Sequence, residues 1–248
     1  MTELRSFLLL NQQGDEVCIT NYGARIVQWH TLVDDEERNI VLGYSSLADY
    51  LEDSAYLGAI VGPFANRIGQ AKVMINDQEI QLTANEGVNQ LHGGPNALSD
   101  VIWQLQAQQE QYLSFSYRCE HGFNGYPGAI NFKVTYRLTD NSELKVELSA
   151  TSEQATIVGP TGHAYFNLAG VEQSSDQHLL QVNAEYFTEL DEKMIPTGKV
   201  LPVTGTRFDF TKPRCLKHDD ERDRIDLNFI INQQDDWQAM LISPDKKL

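Results

Sequence analysis

Of the 248 residues, 19 are Lys or Arg and 35 are Asp or Glu, a formal net charge of −16, and 41% are apolar. A chain of this length and composition can bury a large core without disulfides or metals. Its acidic balance argues against nucleic-acid or anionic-lipid partners, which need a positive field.

Cys18, Cys119 and Cys215 are odd in number and lack CxxC spacing, so they frame neither a disulfide scaffold nor a zinc site. The apolar run Phe7-Leu8-Leu9-Leu10 is too short for a secretory signal. No segment approaches the ~18 apolar residues of a membrane span. The expectation is a soluble, cytoplasmic protein with reduced thiols and a small uncharged or cationic ligand.

In chain order, Val17 to Thr20 reads as a strand. Ser45-Ser46 can cap a short helix with Leu47, Tyr50 and Leu51 on one side. Lys72 to Leu82 reads as a hairpin around Asn76-Asp77, and Leu113, Phe115, Tyr117 and Cys119 alternate with polar neighbours. In Ile130 to Thr139 the residues Ile130, Phe132, Val134, Tyr136 and Leu138 share one face. Leu144, Val146, Leu148 and Ala150 repeat that pattern after the turn residues Asp140-Asn141-Ser142. Leu179 to Phe187 adds a strand, and the charged stretch Asp219 to Asp226 reads as a solvated loop. These segments predict one all-β domain over residues 1–248, with two packed antiparallel sheets and few short helices.

Three segments break the alternation, and such breaks are where function is expected. Asn66-Arg67 interrupts the small and apolar run Leu57 to Gly69. A partly enclosed guanidinium there needs acceptors, either as a structural arginine on backbone carbonyls or as a ligand-binding group. His92 precedes Gly93-Gly94 in Asn89 to Pro95, so it is displayed at a tight bend, as a turn residue or as a catalyst. In Thr161 to Leu168, alternation places Ala164, Phe166 and Leu168 on one strand face and His163, Tyr165 and Asn167 on the other. That second face is either solvent-facing or a polar shelf with an aromatic member, suited to a sugar's hydroxyls and C–H face. No HExxH, GxGxxG, P-loop or GxSxG motif occurs.

Taken together, Asn66-Arg67-Ile68-Gly69, Leu91-His92-Gly93-Gly94, Gly125-Tyr126-Pro127-Gly128 and His163 to Leu168, followed by Ile195 to Gly198, Gly205 to Phe210 and Asp226 to Phe229, occur in the order seen in the aldose 1-epimerase (galactose mutarotase) family. Each motif is weak alone; seven in order over nearly the whole chain make a strong resemblance. It implies a large antiparallel β-sandwich, the galactose mutarotase-like supersandwich, with a sugar on a concave sheet face. It also implies an isomerase of hexose metabolism that interconverts the α and β anomers of galactose or glucose without cofactor or metal.

The resemblance implies that His163 is the general acid to the ring oxygen. His92 and Arg67 hold the ring-oxygen side and the hydroxyls, Asp226 accepts hydrogen bonds from hydroxyls, and Asn66 and Tyr165 contact the sugar. The family's general base is a glutamate in a Cys/Leu-Glu-Pro-type segment, and these 248 residues contain none. The accompanying expectation is a site short of its base and sheet edges that self-association would cap. Two further readings stay open: a non-catalytic carbohydrate-binding protein of the same fold, and an epimerase of hexose 6-phosphates.

Overall fold

The computed structural model describes residues 3–216, 225–232 and 236–248. The Asp219 to Asp226 loop reading falls mostly outside them. Every ladder between the strands named below is antiparallel, and among the described residues helix is confined to short 3-10 turns. Residues 1–166 and 167–248 form two compact units.

The first unit begins with a meander of β1 (Ser6–Leu10), β2 (Glu16–Thr20), β3 (Ile26–Val33) and β4 (Glu36–Asn39). Short ladders follow: β5 (Ile60–Val61), β6 (Arg67–Ile68), β7 (Lys72–Ile75), β8 (Gln78–Gln81) and β9 (Gln90–Leu91). Residues Asn76 and Asp77 between β7 and β8 have φ of 48° and 62°, the left-handed pair a two-residue hairpin turn needs. A second four-stranded meander holds β10 (Gln104–Gln109), β11 (Tyr112–Cys119), β12 (Ile130–Leu138) and β13 (Leu144–Ser152). Finally β14 (Thr161–Gly162) pairs with β5, and β6 pairs with β9.

The expected inward face of β12 is fully buried: Ile130, Phe132, Val134, Tyr136 and Leu138 are at most 1% exposed. On β13 the same periodicity buries less, and Val146 is exposed, because β13 is a sheet edge with a neighbour on one side only. The capped helix forms as a 3-10 turn, Leu47–Glu52, with Ser46 Oγ accepting from the Ala48 N–H at 3.2 Å. Three residues per turn keep Leu47 and Tyr50 on one side and rotate Leu51 out. Tyr50 is buried and Leu51 is exposed.

A buried ion pair ties this unit together. Arg25 and Asp53 have side chains 0% exposed, 2.5 Å apart. The guanidinium also donates to Leu57 O at 3.1 Å and Ser99 O at 3.0 Å, and it lies 5.4 Å from the ring centroids of Tyr22 and Tyr50. Burial acts to raise the Asp53 carboxyl, but the Arg25 hydrogen bond and the Ala55 N–H outweigh it and hold the group below its ordinary value.

The second unit carries β15 (Leu179–Val182), β16 (Ala184–Leu190), β17 (Pro196–Pro202), β18 (Arg214–Cys215), β19 (Phe229–Ile231) and β20 (Ala239–Ile242), in sheets ordered β18-β15-β20 and β17-β16-β19. The single strand expected over Leu179 to Phe187 is therefore two strands in two sheets, broken at Asn183. Val182, Ala184 and Phe210 form its buried core, with Phe229 packed against them. Among the described residues, no helix is long and apolar enough to cross a membrane.

Removing one partner of a buried ion pair strands the other charge, at a cost of about 3–5 kcal/mol. Arg25→Met should therefore lower the unfolding free energy by about that amount, read from urea denaturation midpoints.

Candidate active site

His92 directly follows β9 with a φ of 52°. Its backbone N–H donates to Asn66 O at 3.1 Å, and its Nδ1 accepts from the Asn66 N–H at 3.0 Å. A ring nitrogen that accepts carries no proton, so the neutral ring holds its proton on Nε2. Burial, then the neighbouring His163 and Arg67, push the His92 pKa down to about 4, with Glu86 acting weakly the other way. At neutral pH, His92 is an uncharged ring with an Nε2–H donor.

The glycines after it are required by space. Gly93 has φ of 94°, and a Cβ there would lie 2.1 Å from Gly62 O, closer than any real Cβ contact. Asn124 Nδ2 donates to Gly93 O at 2.9 Å and to Pro95 O at 2.8 Å. The fully buried Tyr126 donates its hydroxyl to Gln90 Oε1 at 2.5 Å. The Gly125-Tyr126 motif thus supports the bend that displays His92.

His163 follows β14. Its N–H donates to Ala59 O at 2.8 Å, its carbonyl accepts from Gly58 N–H at 3.1 Å, and Tyr165 O accepts from Leu42 N–H at 2.9 Å. The regular strand expected through Leu168 stops at Gly162 and resumes only as a bridge between Phe166 and Val41. Phe166 is exposed rather than buried. Asn167 opens the second unit, where its Nδ2 donates to Gln173 O at 2.7 Å, so its amide closes a turn in that unit.

The two imidazoles meet edge to face, with centroids 5.2 Å apart and planes at 86°. The Tyr165 ring lies 5.2 Å from His163, and its hydroxyl donates to Ala55 O at 2.9 Å. Arg67 on β6 is gripped by Glu86 in a two-pronged ion pair, Nε to Oε2 at 2.7 Å and Nη2 to Oε1 at 2.8 Å. Asn66 Oδ1 accepts from the Arg67 N–H at 2.8 Å, and Asn66 has φ of 64°. Arg67 therefore bonds a carboxylate through two of its guanidinium nitrogens.

Two residues of this cluster carry no obvious sequence signal. Tyr56 lies with its ring 4.7 Å from His92 and 5.8 Å from His163, one residue before the Leu57 to Gly69 run. Glu86 sits 19 positions from Arg67, and no local pattern links them.

Asp226 belongs to the second unit, where it is exposed in the wall of a cavity of about 550 Å³ with Phe187, Glu189, Asp191, Arg207 and Phe208. Among the described residues, no group of three His, Cys, Asp or Glu side chains could hold a metal ion.

The antiparallel sheets, with an Asn66-Arg67/His92/His163 cluster displayed on them, define a protein of the galactose mutarotase-like fold. The matching family is aldose 1-epimerase, aligned over residues 5–248, and the chain belongs to it. The chain is 34% identical to an aldose 1-epimerase of Haemophilus influenzae over 247 residues, 95% of this chain and 72% of that protein. It is 39% identical to the galactose mutarotase of Sus scrofa over 206 residues, 81% of this chain and 59% of that protein. Among solved structures, a GalM/aldose epimerase homologue from C. elegans superposes with a TM-score of 0.91 at 28% identity, covering 98% of this chain and 77% of its own.

The depressed His92 value has a definite sign. The unfolded chain takes up a proton on this ring below about pH 6.5 and the folded chain only below about 4, so acid draws the equilibrium towards unfolding within that window. Its stabilising contribution is complete above about pH 6.5 and lost by about pH 4. His92→Gln should lose less stability than the wild type between pH 6.5 and 4.5 in parallel urea titrations.

Proposed function

We propose that this chain interconverts the α and β anomers of a hexose such as galactose or glucose. The observation that carries the reading is the edge-to-face pair of His92 and His163 beside the carboxylate-clamped Arg67. In the proposed step the anomeric hydroxyl loses its proton to a base and the C1=O bond forms. The bond between C1 and the ring oxygen breaks, and that oxygen takes a proton from an N–H of His163. The open-chain aldehyde rotates about the bond to C1 and closes with the proton transfers reversed, giving the other anomer.

In this reading His92 donates its Nε2–H to the ring-oxygen side of the sugar. Its depressed pKa keeps that donor neutral, so it adds no charge that would oppose a protonated His163. Asn66, Arg67 and Tyr165 orient hydroxyls. The base half of the cycle is not assigned to a described residue. An imidazole acid of this kind contributes about 10²–10⁴-fold. No metal or cofactor is called for.

A phosphorylated hexose fits less well. The Arg67 guanidinium is already balanced by Glu86, and the net charge of −16 opposes a dianion. The three free cysteines agree with a reduced, cytoplasmic setting.

Polarimetry on freshly dissolved α-galactose or α-glucose tests the proposal. The wild type should speed mutarotation over buffer, and His163→Ala should reduce kcat by about 10²–10⁴-fold. Folded wild type with no acceleration would reject the enzyme reading. Saturable hexose binding by calorimetry without turnover would leave a sugar-binding protein in its place. Glu86→Gln, which releases one prong of the clamp on Arg67, should raise KM by more than it lowers kcat, because it disturbs binding rather than proton transfer.

A further inference from the structure

A third ring touches both imidazoles. Tyr56 packs edge to face on His92, with planes at 66° and centroids 4.7 Å apart, and tilted on His163 at 49° and 5.8 Å. Its backbone is left-handed, with φ of 57°, a conformation that a bulky side chain rarely adopts. Residues held so cluster at functional sites, where surrounding contacts over-determine them.

Those contacts are explicit. Asp53 Oδ1 accepts from the Ala55 N–H and Asp53 Oδ2 from the Leu57 N–H, both at 3.0 Å, so one carboxylate grips the chain on either side of Tyr56. Tyr56 O accepts from the Ala59 N–H at 3.0 Å. Asp53 itself is fixed by the buried Arg25. Gly58, next in the turn, has φ of 68°, and a Cβ there would lie 1.9 Å from Ile26 O, so the loop is pressed onto β3 and has little freedom to shift.

We propose that Tyr56 is a positioning residue for the anomer-interconverting reaction: its ring, locked by the Arg25–Asp53 pair, sets the mutual orientation of His92 and His163. The proposal rests on the mutarotase reading of the site. It assigns the work to the ring and not to the hydroxyl, which burial keeps protonated by pushing its pKa up, as do the nearby carboxylates of Asp100, Glu86 and Asp53. A small misplacement of reacting groups can cost on the order of 100-fold in rate, so the orienting ring has a measurable consequence although it transfers no proton.

Tyr56→Phe keeps the ring, and Tyr56→Asn removes it while suiting the left-handed backbone. The expected result is mutarotation within about twofold of wild type for the Phe variant. For the Asn variant a roughly 10- to 100-fold loss of kcat is expected, with KM little changed. A second readout does not depend on turnover: the His92 ring titration followed by NMR. Around His92 stand His163, Arg67 and Glu86, all retained in both variants. Removing the Tyr56 ring should open His92 to water and move its titration up from about 4 towards 6.5, and the Phe variant should leave it in place.

If Tyr56→Asn does not fold by circular dichroism, Tyr56→Leu takes its place with the same expectations. An Asn variant with wild-type kcat and an unmoved His92 titration overturns the proposal. A Phe variant as impaired as the Asn variant also overturns it, by moving the function to the phenol hydroxyl. Wild type without mutarotase activity rejects the proposed function alone. The His92 titration then decides whether Tyr56 organises the pair, an unmoved value in the Asn variant counting against it.

Discussion

A buried guanidinium is the constraint on which the site-bearing unit depends. Arg25 is fully enclosed, and an enclosed charge persists only when its partners are supplied at close range. Here they come from two stretches of chain: the Asp53 carboxylate and Leu57 O from one loop, and Ser99 O from another. Satisfying one charge therefore brings together β3's leading turn, the loop that carries Tyr56 and the 3-10 turn at Leu98–Asp100. The same loop supplies Ala55 O to the Tyr165 hydroxyl and the Gly58 N–H to His163 O. The placement of the second histidine is thus tied, through backbone hydrogen bonds, to a salt bridge that touches neither imidazole.

The electrostatics around the two histidines suit the neutral, hydroxyl-rich ligand of the proposed function. His92 is held uncharged by burial and by the neighbouring His163 and Arg67, and Arg67 has its charge balanced by Glu86. What remains is a set of oriented hydrogen-bonding groups beside aromatic rings. Such an arrangement recognises hydroxyls and C–H faces.

The backbone around the pair is also unusual. Tyr56, Asn66 and His92 all have φ between 52° and 64°, outside the regions that L-residues prefer. Each is held by paired hydrogen bonds: Asn66 and His92 exchange N–H donors through a carbonyl and a ring nitrogen, and Tyr56 sits between two N–H groups bound by Asp53. Gly93, closest to the crowded Gly62 carbonyl, admits no side chain at all. Strain of this kind is tolerated where neighbouring contacts over-determine it, and here those contacts are the ones that aim the site residues.

Much of the framework was legible in the amino-acid order alone. Period-two alternation is a local property of a pleated strand, so the buried face of β12, the β7–β8 hairpin at Asn76-Asp77 and the Ser46 cap could be read directly. The short motifs around Asn66-Arg67, His92 and His163 pointed to the family, because each pairs a polar group with glycines or apolar neighbours in a fixed sequence. Tertiary structure decided the rest. It ended the His163 strand early and exposed Phe166, since partner strands, not alternation, determine how far a ladder runs. It also joined Arg67 to Glu86, Arg25 to Asp53 and Tyr56 to both histidines. Those pairings depend on which loops face one another once the core is buried, and contacts between residues 19 to 107 positions apart leave no periodic trace in the chain.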